Sequence, residues 1–98
     1  MDMLDSAIDY IRECLASYGK VTIYRRPIIQ DRAKWRIVAT VTDSRALYDT
    51  TTYHFILYPD GTVWFHQYVN PFGDLWPIKE LASIFDADKS GKFSVPIY

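Results

Sequence analysis

Thr50–Val69 reads TTTYHFILYPDGTVWFHQYV. Two runs rich in β-branched and aromatic residues flank Tyr58-Pro59-Asp60-Gly61-Thr62. Pro59 presets φ at the first central turn position, Asp60 follows, and Gly61 takes the left-handed site of a three-residue hairpin loop. With that loop in place Tyr58 faces Thr62, Leu57 faces Val63 and Phe55 faces Phe65. Those side chains make an apolar inner face. On the other face Ile56 meets Trp64, His54 meets His66 and Thr52 meets Tyr68, with Tyr58 at the turn end. A slip of one residue would mix the two sets, so the apolar inner face specifies this register.

The hairpin extends upstream into two more strands. Val21 to Ile29 is β-branched and aromatic with a break at Pro27, and Trp35 to Thr42 alternates with Trp35, Ile37, Ala39 and Val41 on one face. Asp43-Ser44-Arg45 reads as a turn. Alternation places Val21, Ile23, Ile37, Ala39 and Val41 inward and Thr22, Tyr24, Arg26, Arg36, Val38 and Thr40 outward. Before the strands, Leu4, Ile8, Ile11 and Leu15 recur at helical steps, with Gly19 as the stop. Asn70-Pro71-Phe72-Gly73 breaks the sheet. A second helix is expected from about Pro77, with Ile78, Leu81, Ala82 and Phe85 as its apolar face. The tail from Lys92 to Tyr98 reads extended, with Phe93, Val95 and Ile97 alternating. It could add a strand or cover the outer face.

This order predicts an α+β domain spanning residues 1–98. Its core is a four-stranded antiparallel meander with an N-terminal and a C-terminal helix packed on one face. The chain has 98 residues, which suits one domain, and 49% hydrophobic residues, enough for a core. One cysteine, Cys14, excludes an internal disulfide and suits a reducing, cytoplasmic compartment. Its simplest role is a small apolar residue at the edge of the helical stripe. The acidic start lacks the apolar run of a signal peptide, and no stretch is long and apolar enough to span a membrane. Asp2 and the absence of a C-terminal cysteine exclude the common lipid anchors.

The outer face therefore carries Tyr24, Arg26, Arg36, His54, Ile56, Tyr58, Trp64, His66 and Tyr68. Tyr, Trp and Arg are the types enriched in interface hot spots. The expected function is a small non-catalytic protein-binding module of inhibitor, immunity or adaptor type, acting through this face. A second copy of the chain is a possible partner, giving a symmetric dimer. The alternative is single-stranded nucleic-acid binding, with Tyr24, Trp64 and Tyr68 stacking on bases and Arg26 and Arg36 on phosphates. Residues 20–36 carry Lys20, Arg25, Arg26, Arg32, Lys34 and Arg36 against Asp31 alone, in a chain of net charge −1. A basic segment in an otherwise acidic chain favours the protein partner, and basic side chains also guard exposed strand edges.

Other chemistry finds little support. His54 and His66 could share a metal ion, but a zinc site needs a third protein ligand. Asp49, Asp60 and Asp74 have no clear place on that face, so the histidines read as a packed cross-strand pair. Asp86-Ala87-Asp88-Lys89-Ser90-Gly91 resembles the first half of an EF-hand calcium loop. The twelfth position is Ile97, where a bidentate Glu is required, so an ordinary turn is the simpler reading. Gly-rich phosphate loops, nucleophile elbows and Cys-x-x-Cys pairs are absent. No enzyme, cofactor or metal site is expected.

Overall fold

The turn at Pro59-Asp60-Gly61 forms as its residues dictate. Tyr58 N–H donates to Thr62 O at 2.8 Å, Gly61 N–H donates to Tyr58 O at 3.1 Å, and Gly61 has φ 92°. The Asp60 carboxylate accepts from Thr62 N–H at 2.9 Å, closing the loop from its side-chain side. The computed structural model describes residues 2–42, 50–70 and 82–95. Among them the order is α1 (Met3–Leu15), a 3₁₀ turn (Ala16–Tyr18), β1 (Lys20–Ile28), β2 (Asp31–Thr42), β3 (Thr50–Leu57), β4 (Thr62–Val69), a 3₁₀ turn (Ala82–Phe85) and β5 (Lys92–Ser94). The strands form one antiparallel sheet in chain order.

The α+β class and the antiparallel meander stand, but the sheet has five strands rather than four. The fifth comes from the tail. Asp88, Lys89, Ser90 and Gly91 repeat the bonding of the 58–62 loop, with Asp88 N–H to Lys92 O at 2.9 Å and Gly91 N–H to Asp88 O at 3.0 Å. Gly91 has φ 86°, the left-handed conformation in which a Cβ would be unfavourable. The turn delivers β5 to the free edge of β4, where Val63 pairs with Phe93 and Trp64 with Lys92. Phe93 and Val95 are buried, so this part of the tail completes the core instead of covering the outer face.

The predicted second helix is also changed. Its expected start at Pro77, with Ile78 and Leu81, lies outside the described residues. Its described part, Ala82–Phe85, is a 3₁₀ turn rather than an α-helix and inserts Phe85 fully into the core. The N-terminal helix is as expected. Asp2 caps it by accepting from Asp5 N–H at 2.8 Å, an arrangement that stabilises a helix start by about 1 kcal/mol. Ala7, Ile8, Ile11 and Leu15 are its buried stripe. Gly19 ends the segment at φ 152°, ψ −160°, a region essentially restricted to glycine.

The core lies between α1, the Ala82–Phe85 turn and the inner face of the sheet. Ile37, Ala39, Val41, Phe55, Leu57, Val63 and Phe65 are buried there, all as the alternation predicts. Phe85 joins Phe55 edge-on, with ring centroids 5.0 Å apart, and stacks on Phe93 at 5.8 Å. The Tyr10 hydroxyl donates to Phe85 O at 2.8 Å and so ties α1 to the 3₁₀ turn. Both helical pieces therefore load one face of the sheet, and the candidate site lies on the other.

Candidate functional site

The outer face is organised as cross-strand rows. The longest runs Arg26–Arg36–Ile56–Trp64–Lys92 across all five strands. Beside it lies Tyr24–Val38–His54–Gln67 across four. Tyr24 is 59% exposed, and Arg26 is exposed. Arg36, His54, Ile56, Tyr58, Trp64 and His66 are half-buried. Eight of the nine predicted residues thus share the outer face.

Tyr68 does not, and the reason is a β-bulge. Pairing steps from Phe55↔Phe65 to His54↔Gln67, so β4 carries one extra residue, His66, at this point. A bulge places two residues opposite one and resets the alternation beyond it. Tyr68 therefore pairs with Tyr53 instead of Thr52 and packs against the core, its ring 5.0 Å from that of Tyr53. Gln67 and Val69 take the outer-face positions opposite His54 and Thr52. His54 and His66 are consequently neighbours rather than a directly opposed pair, with ring centroids 6.0 Å apart.

Trp64 has a structural attachment that sequence did not suggest. Its indole N–H donates to Ser90 O at 3.1 Å, linking the outer face to the turn before β5. Its ring lies 5.1 Å from that of His66. Lys34 is a further site residue, with its ammonium 5.0 Å above the Tyr58 ring and 3.5 Å from the Asp31 carboxylate. The even-numbered alternation of β2 that placed Arg36 and Val38 outward also applies to position 34.

The histidines are electrostatically unusual. His54 Nδ1 and His66 Nε2 are buried without a hydrogen-bond partner. Burial, then the positive charge of Arg36, pulls the pKa of His54 below its ordinary value. For His66 burial acts first, then His54, then Arg36, all in the same direction. Both rings are therefore neutral at physiological pH. A cation there would meet the Arg36 guanidinium, and among the described residues no three His, Cys, Asp or Glu side chains gather to hold a metal ion. Elsewhere, burial raises the Cys14 thiol, which works against a nucleophilic thiolate.

In the acidic loop at 86–91 the Asp88 carboxylate is engaged by its own turn. Asp88 Oδ1 accepts from Ser90 N–H at 2.8 Å, Ser90 Oγ–H at 2.7 Å and Lys92 N–H at 3.1 Å. Asp86 sits at φ 55° just after the 3₁₀ turn, in the left-handed conformation that Asp and Asn tolerate better than most residues. A strand, not an EF-hand exit helix, follows the loop.

The depressed histidines set an acid limit on stability. Below about pH 6.5 the unfolded chain takes up protons that folded His54 and His66 resist, so it binds more protons than the native state. The histidine contribution to stability should be constant above that pH and fall as pH decreases from it through the lower folded values. Asp60 and Asp88, held below the ordinary carboxylate range by hydrogen bonds from Thr62 and Ser90, act only at still lower pH. Urea denaturation at about pH 7 and about pH 5 should show the loss, and a His54→Gln, His66→Gln double variant should flatten it. An unchanged slope in that variant would remove the histidines as its cause.

Comparison of the chain with protein-family models, with curated proteins and with solved structures finds no match.

Proposed function

We propose that the protein is a non-catalytic protein-binding module that engages its partner through the outer sheet face. The observation that carries this reading is the Arg26–Arg36–Ile56–Trp64 row, flanked by half-buried His54 and His66. An apolar centre of Ile and Trp with arginines toward one end has the composition of an interface core and rim. Inhibitor, immunity-type and adaptor roles are each compatible with such a face, as is binding of a second copy of the chain.

Single-strand nucleic-acid binding is less well supported than the sequence alone suggests. Tyr68, one of its three stacking platforms, packs against the core, leaving Tyr24 and Trp64 on the outer face.

Comparative affinity capture from native extract tests the proposal, with the wild-type chain and Ile56→Glu as baits. Ile56 is central to the row and half-buried, so the substitution alters the face beside Arg36 without emptying the core. The expected result is one or more proteins retained by the wild type and lost from the variant, with thermal melts showing both baits folded. Identical captured sets would sink the reading. Retention that disappears on nuclease treatment and weakens steeply with salt would replace it with the nucleic-acid alternative.

A further inference from the structure

A second feature of the molecule goes beyond protein binding and does not depend on it. At the turn end of the β1–β2 hairpin the register jumps from Pro27↔Trp35 to Ile28↔Asp31. Pro27 has no N–H to continue the ladder, which accounts for the break at this point. Beside this irregularity lies a pocket of about 230 Å³, lined by Arg26, Pro27, Ile28, Ile29, Gln30 and Arg36. Arg26 and Arg36 are direct cross-strand partners. Like charges in that position repel and weaken the sheet. Neither guanidinium has a carboxylate partner among the described residues, whereas Arg25 is paired with Asp5 at 3.0 Å and Lys34 with Asp31 at 3.5 Å.

We propose that this pocket binds a phosphomonoester group, held by the Arg26 and Arg36 guanidiniums. The charge argues for a phosphate over a carboxylate. Two fixed positive charges match a group that carries about −1.5 to −2 at neutral pH and offers three acceptor oxygens. Two planar guanidinium forks also suit bidentate contact with such oxygens. The size argues for a group rather than a whole ligand, because small-molecule pockets run from about 300 to about 1,000 Å³. The apolar side of the lining, Pro27, Ile28 and Ile29, gives the carbon attached to the phosphate a surface to rest on. Ile29 is 82% exposed, the most exposed large hydrophobic residue among those described. A bound anion would relieve the repulsion across the β1–β2 pair and connect the face to ligand concentration.

The test is a titration of the full chain with phenyl phosphate, inorganic phosphate and benzoate at equal ionic strength, followed through the arginine Nε–Hε resonances. Phenyl phosphate should bind saturably, with a dissociation constant on the order of 1 mM, and should move Arg26 and Arg36 together. Inorganic phosphate should bind more weakly, and benzoate, a monoanion, more weakly still. Arg36→Glu should weaken phenyl phosphate binding by about tenfold or more. It should not lower the thermal midpoint, because it replaces a repulsive pair with an attractive one. Arg26→Gln, at an exposed position, provides a second variant that should lose binding while folded. Adenosine monophosphate and a short phosphotyrosine peptide then separate two sources of the group, and saturable binding of either supports the site. Absence of saturable shifts, equal shifts at Arg12 and Arg32, or benzoate binding as tightly as phenyl phosphate would overturn the assignment.

Discussion

Phe55→Ala is expected to destabilise the protein by about 3–5 kcal/mol, the range for removing a buried aromatic ring. Phe55 is wholly buried, and its ring lies 5.4 Å from Phe65, 5.0 Å from Phe85 and 6.4 Å from Phe93. Those partners come from β4, the Ala82–Phe85 turn and β5, so one truncation empties the point where three segments meet. Phe65 and Phe85 are themselves fully buried, and Phe93 is held by the β4–β5 ladder. None can swing into the space without leaving its own contacts, which places the cost toward the upper part of the range. Domains are stable by about 5–15 kcal/mol, so the variant should lose a substantial part of its margin. Urea denaturation measures this directly. Ile56→Ala, one residue along on the half-buried outer face, should cost clearly less. Equal losses at the two positions would mean that the faces are not distinguished as described.

The contrast between Phe55 and Ile56 was legible in the sequence because a strand's side chains alternate and the Pro59-Asp60-Gly61 loop sets the register. From Leu57↔Val63 to Phe55↔Phe65 every predicted pair is present. Legibility ends one step farther from the turn, at His66. No glycine or proline marks the bulge, and local pattern alone does not reveal that β4 is one residue longer than its partner there. That single residue moved Tyr68 from the predicted outer face to the core side. On β1 and β2 the predicted pattern survived, with Val21 and Ile23 packed against the core and Arg26 beside Arg36.

The fifth strand was half legible. Phe93 and Val95 alternate, and Asp88 to Gly91 has the composition of a turn. The strand's position rests on the free edge of β4 and on the packing of Phe93 against Phe55 and Phe85, both non-local properties. The hydrogen bond from Trp64 to Ser90 is non-local in the same sense, since it joins residues 26 positions apart. Helix α1 required no such information. Its apolar stripe and Gly19 stop are both local, and both are in place.

Trp64→Ala is expected to weaken partner binding by about 2 kcal/mol or more, roughly thirtyfold in dissociation constant, if the proposed interface is correct. The residue sits in the longest outer row, between Ile56 and Lys92, with its ring against His66. The bond to Ser90 means that folding will also respond, because the lost hydrogen bond alone is worth about 0.5–1.5 kcal/mol. A half-buried ring adds part of a full burial, so a total folding cost of about 1–3 kcal/mol is expected. The two effects separate with Trp64→Phe, which keeps an aromatic surface and removes only the indole donor and some area. That variant should lose part of the stability and retain most of the binding. Calorimetry with the captured partner, or sedimentation velocity if the partner is a second copy, should be run where each variant is almost entirely folded. The interface reading requires Trp64→Ala to lose affinity under those conditions. If folded Trp64→Ala binds as the wild type does, Trp64 serves only to fasten the Ser90 turn to β4. The binding surface would then have to centre on the arginine end of the row.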